Sequence, residues 1–240
     1  PDWLQAVARG ELRRAADIAH ATNPLPEVCG RLCPQHRLCE GACTRATQDG
    51  AVTIDAIEQY LGDTALVRGW HPAAPARRTG KKIAIIGAGP AGLACADSLN
   101  RTGNTVTVYD RGAGIGGLLT TGVPPFKLEK PVLATRQALW QQAGIGFRLG
   151  APVDSAMLRG LIAEHDAVFL GTGAQTTRAV ELKGQQLAGV YQALDYLNAM
   201  NAGRHTQLKE RRVVVLGSGD TAMDCARSAL RDGATSVAVV

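Results

Sequence analysis

Lys82-Ile-Ala-Ile-Ile-Gly87-Ala-Gly89-Pro-Ala-Gly92 decides the fold. The residues from Lys82 to Ile86 form a short β-branched run, the composition of a strand buried in a parallel sheet. Gly89 to Arg101 then suits a helix, and Thr105 to Tyr109 a second strand. A Gly-x-Gly-x-x-Gly turn that follows a strand and opens a helix points to dinucleotide binding. Gly87 permits the tight turn, Gly89 lets the backbone approach a pyrophosphate, and Gly92 lets helix and strand pack closely. Ala88, Pro90 and Ala91 complete the loop, and the helix N-terminus offers its N–H groups to phosphate. Asp110 ends the second strand, where a carboxylate can bind a ribose hydroxyl. The competing readings are a purely structural glycine turn and, for Asp110, a solvated strand end.

The same layout returns near the end of the chain. Arg212 to Leu216 reads as a buried strand, Thr221 to Arg231 as a helix and Ser236 to Val240 as a strand, so Arg212–Val240 repeats Lys82–Asp110. The second turn is Gly217-Ser218-Gly219-Asp220-Thr221-Ala222, with Ala222 in place of the third glycine. Ala226, Ala229 and Gly233 mirror Ala96, Leu99 and Gly103. The ribose-reading position of this unit falls at 241, so the sequence does not separate NAD from NADP. Ala167–Leu170 is a further strand candidate and Val190–Met200 a further helix. Strands alternating with helices imply an α/β fold with a parallel sheet. Two dinucleotide sites suggest a relay between a flavin and a nicotinamide.

Upstream of the first turn the character changes. His71 to Gly80 is a linker by composition, and residues 1–70 read as mostly helical. Asp2–His20 carries Leu4, Val7, Ala8, Leu12, Ala15, Ala16 and Ala19 at helical spacing, broken by Asn23-Pro24 and Pro26. Thr53–Val67 shows another stripe through Ile54, Ile57, Tyr60, Leu61 and Leu66. Between them lie Cys29, Cys33, Cys39 and Cys43. With no secretory signal in view, metal binding is favoured over a disulfide framework. Thiolates hold iron–sulfur clusters. The spacing is not the C-x2-C of common zinc pairs, yet spacing alone leaves iron–sulfur, zinc and structural thiols open. Cys95 and Cys225 lie in the helices behind the glycine turns and read as buried small side chains. His20, His36, His71, His165 and His205 are scattered, and none is assigned a catalytic role.

The chain has 240 residues, a formal net charge of +5 and 4% aromatic residues. The low aromatic content argues against a stacking platform for single strands. The one tight basic cluster, Arg77, Arg78, Lys81 and Lys82, reads as a solvated linker end, so no nucleic acid is expected. No apolar run reaches the roughly 18 residues of a membrane span, so no membrane partner is expected. A chain that begins at Pro1 reads as a piece or a processed product.

Four ordered motifs resemble one family along the whole chain. They are Cys29-Gly-Arg-Leu-Cys33-Pro-Gln-His-Arg-Leu-Cys39-Glu-Gly-Ala-Cys43, Gly87-Ala-Gly-Pro-Ala-Gly-Leu-Ala, Ile115-Gly-Gly-Leu-Leu119 and Gly219-Asp-Thr-Ala-Met-Asp-Cys225. Together they are similar to the glutamate synthase small-subunit family, which includes the amino-terminal half of dihydropyrimidine dehydrogenase. The resemblance implies a helical iron–sulfur domain at 1–70, the linker at 71–80, an FAD-binding domain at 81–189 and the start of an NAD(P)-binding domain at 190–240. It implies an FAD site lined by Gly87–Gly92, Asp110, Gly116, Gly117, Leu118 and Lys127, with Gly171-Thr172-Gly173 as a second flavin-side turn. Gly217, Ser218, Gly219, Asp220 and Thr221 resemble the nicotinamide pyrophosphate loop. Family members share [4Fe–4S] cluster ligands with an upstream cysteine group that is absent from this sequence. That pattern makes Cys33, Cys39 and Cys43 ligands, leaves Cys29 less settled, and aligns Glu58 with a non-cysteine ligand; an exposed helical glutamate is the alternative.

The implied function is a soluble, cytoplasmic electron-input subunit. It would pass electrons from NADP(H) or NAD(H) through FAD and [4Fe–4S] clusters to a larger catalytic subunit or a ferredoxin-like acceptor. Glutamate synthesis, pyrimidine reduction and ferredoxin reduction compete as the end use. A non-catalytic redox-sensing or assembly module and a zinc-bound interaction domain are the rivals of other classes. A piece of this length, lacking part of the flavin domain, is expected to bind FAD poorly and to be inactive alone.

Overall fold

The computed structural model describes residues 2–71, 75–174, 176, 182–204 and 206–240. His205 and the linker positions 72–74 therefore lie outside the described residues. The chain forms two compact units, Pro1–Ile115 with Lys127–Thr172 and Gly116–Phe126 with Gly173–Val240.

The first unit opens with helices α1 (Asp2–Ala8), α2 (Leu12–Thr22), α3 (Pro26–Leu32) and α4 (Ile54–Val67). The single helix expected over Asp2–His20 is two. Gly10 takes φ +76°, a left-handed backbone in which a Cβ is unfavourable. Glu11 N–H then reaches Ala6 O at 2.9 Å and Gly10 N–H reaches Val7 O at 2.9 Å. This double closure ends α1, although the apolar stripe continues through it. Both helices contribute to one cluster, where Ala6, Ala15 and Leu61 pack with Trp3, Val7 and Leu12.

Next come β1 (Lys82–Ile86), α5 (Pro90–Arg101) and β2 (Thr105–Tyr109), at the positions expected from the pattern. After the second-unit helix α6 (Leu118–Thr121), the first unit resumes with α7 (Lys130–Gln142), β3 (Gly146–Arg148), α8 (Ser155–Glu164) and β4 (Ala167–Leu170). The four strands form a parallel sheet in the order β3-β2-β1-β4. β1 is central, paired Ile86↔Tyr109 on one side and Ile86↔Leu170 on the other, and Ile83–Ile86 are all buried. A crossover helix between parallel neighbours is the geometry that a βαβ unit requires. On one face of this sheet Ala84, Ile86 and Leu161 pack with Tyr109, Met157, Leu158 and Val168. α8 is capped by Asp154, whose carboxylate accepts from Met157 N at 2.8 Å.

The second unit adds α9 (Ala193–Asn201), β5 (Arg212–Val215), α10 (Asp220–Arg231) and β6 (Ser236–Val239). β5 and β6 pair in parallel, Val213↔Val237 among them. Tyr196, Leu197 and Cys225 form its core with Ala193, Met200, Leu208 and Val215, so Cys225 is the buried small side chain expected of it. Gly116–Phe126 is tied into this unit: Asn201 Nδ2 donates to Thr121 O at 2.8 Å, and Phe126 lies under the guanidinium groups of Arg227 and Arg231.

Candidate functional site

The loop after β1 is built from close backbone contacts. Gly87 takes φ +106°, and a Cβ there would stand 2.2 Å from Gly171 O. A Cβ at Gly92 would stand 1.9 Å from Gly87 O, and one at Gly171 would press on the Phe169 ring at 3.0 Å. Three of the predicted residues, Gly87, Gly92 and Gly171, therefore meet where the ends of β1 and β4 reach the start of α5. Thr172 follows on the same turn, and Gly173 begins the next segment of the second unit.

Gly89 differs from its neighbours. Its backbone is ordinary extended chain, φ −75° and ψ 177°, and a Cβ there would meet nothing within 4 Å among the described residues. The protein's own packing does not demand a glycine at this point. What the missing side chain leaves is open space at the N-terminus of α5, whose first-turn amides have no intrahelical acceptor. Pro90 and Ala91 form the exposed first turn, while Ala88 is fully buried.

The second loop reproduces the first. Gly217 takes φ +113°, and Gly219 takes φ −77° and ψ 176° with nothing within 4 Å of a Cβ. Gly217 N donates to Val240 O at 2.7 Å, as Gly87 N donates to Tyr109 O at 2.8 Å. Ser218, Asp220 and Thr221 stand exposed around it, and Ala222 is buried where Gly92 is buried in the first loop. Each loop leaves a cradle that a Cβ would fill, which fits the pyrophosphate of a dinucleotide.

Asp110 has a structural role that the motif did not predict. Its Oδ2 accepts from Ala88 N at 2.7 Å and its Oδ1 from Gly112 N at 2.6 Å. The carboxylate ties the end of β2 to the glycine loop, and each oxygen keeps a lone pair for a ligand hydroxyl. Gly116 and Gly117 both have positive φ, 104° and 53°, and lead into α6 with Leu118; these three belong to the second unit. Lys127 opens the return segment of the first unit, beside fully buried Leu128.

In the N-terminal segment, Cys29 lies on α3, Cys33 ends it, and Glu58 lies on α4. The two helices touch backbone to backbone: a Cβ at Gly30 would stand 2.8 Å from Asp55 O and from Gln59 Cα. Asn23 Nδ2 donates to Glu58 Oε1 at 2.8 Å, and Cys29 Sγ donates to Asn23 Oδ1 at 3.7 Å. Sequence reasoning took Asn23 only as a helix breaker. Its place between two candidate ligands was the missed signal, and only the fold displays it.

Burial pushes the Cys29 thiol up to about 11, against the Asn23 hydrogen bond, with Cys33 and Glu58 nearby adding to the rise. Burial also raises Cys33 and Glu58. Backbone N–H groups, that of Val52 first, lower Cys43. An iron or zinc centre would supply the positive charge that lets such thiols ionise. The donor chemistry thus fits part of a thiolate ligand set. Among the described residues, no three His, Cys, Asp or Glu side chains close into a complete metal-holding group.

Comparison with known proteins agrees with this division of chemistry. Residues 1–70 match the family described as dihydropyrimidine dehydrogenase domain II, 4Fe-4S cluster. Residues 81–240 match the pyridine nucleotide-disulphide oxidoreductase family. The chain is 50% identical over 248 residues to a glutamate synthase [NADPH] small chain of Halomonas elongata, covering 99% of this chain and 52% of the relative. It is 48% identical over 249 residues to the putative oxidoreductase AegA of Escherichia coli, covering 99% of this chain and 38% of that protein. The chain thus spans about half the length of the glutamate synthase relative. The solved structure of Mycobacterium tuberculosis FprA in complex with NADPH shares the fold, with a TM-score of 0.55 at 24% identity, covering 67% of this chain and 43% of that one. The resemblance to glutamate synthase small chains, the α/β fold class and the cysteine-rich segment ahead of the dinucleotide fold are all borne out.

Proposed function

Because the chain belongs to the pyridine nucleotide-disulphide oxidoreductase family, we propose that it is the electron-input part of an NAD(P)H-dependent flavin and iron–sulfur oxidoreductase, most like a glutamate synthase small chain. The observation that carries this is the duplicated cradle: two loops with matching glycine backbones, each leaving open space above a helix N-terminus. Bound there, FAD and NADP (or NAD) would supply hydride chemistry, and a [4Fe–4S] cluster would supply single-electron chemistry.

The chain's own contribution is positioning. Gly87–Gly92 and Asp110 hold the flavin nucleotide, with Lys127, Gly171 and Thr172 of the same unit completing its site. Gly217–Thr221 hold the nicotinamide nucleotide. Cys33, Cys39 and Cys43, with Cys29 and Glu58 beside them, hold the cluster. In domain terms, 1–70 serves the cluster, 71–80 links, 81–189 serves FAD and 190–240 serves the nicotinamide. No side-chain acid or base is needed for hydride transfer between two cofactors.

The electrons pass to a larger catalytic subunit in the cytoplasm. A ferredoxin-like acceptor is the second reading. Anaerobic stopped-flow mixing of the holoprotein with NADPH and with NADH tests the core of the proposal. Flavin bleaching by one of them is expected. No bleaching by either sinks it.

A further inference from the structure

Glu27 and Arg136 form an ion pair in which neither side chain has any exposed surface. Arg136 Nε donates to Glu27 Oε1 at 2.8 Å and Nη2 to Oε2 at 2.7 Å, across 109 positions of sequence. The same Nη2 lies 3.0 Å from His20 Nε2. His20 Nδ1 lies 2.8 Å from Ala16 O, which can only accept, so Nδ1 carries the proton and Nε2 accepts a hydrogen bond from Arg136 Nη2. Arg136 Nη1 is buried with no hydrogen-bond acceptor among the described residues.

As a source of stability this node is a poor choice. Desolvating two ions is expensive, and apolar side chains of similar volume do as well or better. What the pair has and an apolar contact lacks is direction: a planar fork matches a carboxylate in one orientation. Its location shows what that direction acts on. Glu27 lies on α3, two residues before Cys29, and Arg136 lies on α7. One turn after Glu27, Arg31 bridges Asp63 of α4 at 2.8 Å and Glu129 at the start of α7 at 2.8 Å. Trp140 of α7 donates to Asp97 of α5 at 2.9 Å, and Arg101 of α5 donates to His20 O at 2.7 Å. Glycine contacts fix the remaining freedom, since a Cβ at Gly62 would stand 2.6 Å from Glu27 N. A turn or slide of α3 would break the bidentate pair in the core.

We propose that Glu27 and Arg136 are positioning residues that set the register of α3, and with it Cys29 and Cys33, on the dinucleotide-binding fold. The proposal rests on the reading above, in which the cysteine segment holds a cluster.

Three variants of the holoprotein test it. Arg136→Met leaves the Glu27 charge buried without a partner and is expected to fold poorly. The triple variant His20→Leu/Glu27→Met/Arg136→Met removes the whole node with nothing orphaned, and its unfolding midpoint is expected at or above wild type. Arg136→Lys keeps the charge without the fork. The readouts are amide hydrogen exchange over residues 26–33 and the electron paramagnetic resonance lineshape of the reduced protein. In the stable triple variant, α3 is expected to lose protection relative to α5, and the cluster signal to broaden into more than one form. Wild-type α3 protection with a wild-type lineshape would overturn the proposal. If the triple variant does not fold, Arg136→Lys decides by the same two readouts. A wild-type holoprotein with no iron signal would sink the iron–sulfur reading, while the exchange measurement would still judge the register.

Discussion

Replacing Asp110 with alanine separates two jobs that the motif merges. The sequence pattern assigns this carboxylate to a ribose hydroxyl, a role that matters only when a nucleotide is bound. The structure gives it two backbone amides as well, Ala88 N at 2.7 Å and Gly112 N at 2.6 Å. Ala88 is fully buried, so its amide has no water to turn to. Leaving such a donor unsatisfied costs about 1–3 kcal/mol, and losing the less buried Gly112 bond adds roughly 0.5–1.5 kcal/mol. Asp110→Ala should therefore lower the stability of the flavin-free protein by about 1.5–4.5 kcal/mol, a large share of a typical margin of about 5–15 kcal/mol. Asp110→Asn should recover part of this, because its one remaining carbonyl oxygen can still serve one amide while its NH2 faces the other. The assay is urea unfolding of flavin-stripped protein, run beside flavin titration. A flavin-free Asp110→Ala variant within about 0.5 kcal/mol of wild type, the range of a neutral surface change, would refute the structural half of the argument.

Two glycine substitutions should part company: Gly89→Ala, with open space around it, should fold with wild-type thermal stability and lose flavin, whereas Gly92→Ala, with a Cβ 1.9 Å from Gly87 O, should fail to accumulate as folded protein. Flavin content per folded chain distinguishes them, and a flavin-replete Gly89→Ala would show that the cradle is not used. His20 is held below its ordinary value by burial first and then by the charge of Arg136, with His71 acting the same way and Ala16 O and Glu27 opposing. The unfolded chain then takes up a proton near pH 6.5 that the folded chain refuses, so stability should fall as pH drops below about 6.5. His20→Gln keeps an acceptor toward Arg136, and its urea midpoint should change less than wild type between about pH 7.5 and about pH 5.5; equal slopes would clear His20 of the effect. Cys39→Ser should strip iron from the holoprotein and leave NAD(P)H-driven flavin bleaching near the wild-type rate, because serine is a poor ligand for cluster iron; full iron content by metal analysis would remove Cys39 from the ligand set.

The parts that were legible in the sequence are those set by local chemistry. β1, α5, β2, β5, α10 and β6 were readable because a glycine turn has to sit between a β-branched run and a helix, and that layout occurs twice. The break at Gly10 was not, although its glycine was visible, because the apolar stripe runs on through it and only the φ of +76° shows that the chain turns. α7 escaped because Arg136 occupies an inward position among Leu133, Leu139 and Trp140, so the apolar period is interrupted where the helix is most buried. The Glu27–Arg136 pair was out of reach, since nothing local marks one carboxylate as the partner of a guanidinium 109 positions away. Within the site, the glycine loops were legible residue by residue, while Asn23 and the second role of Asp110 depend on neighbours that only folding supplies.

The matching backbones at Gly89 and Gly219 carry a consequence for anyone seeking an inhibitor. On the proposed function, a compound built around a diphosphate mimic would meet two loops of matching backbone in one polypeptide, and occupying one would give no guarantee of sparing the other. Discrimination has to be sought beyond the loops. The buried Ala88 amide and the Asp110 carboxylate mark one berth, while Ser218, Asp220 and Thr221 stand exposed around the other. A screen that counts bound equivalents, rather than inhibition alone, would reveal such double occupancy at once.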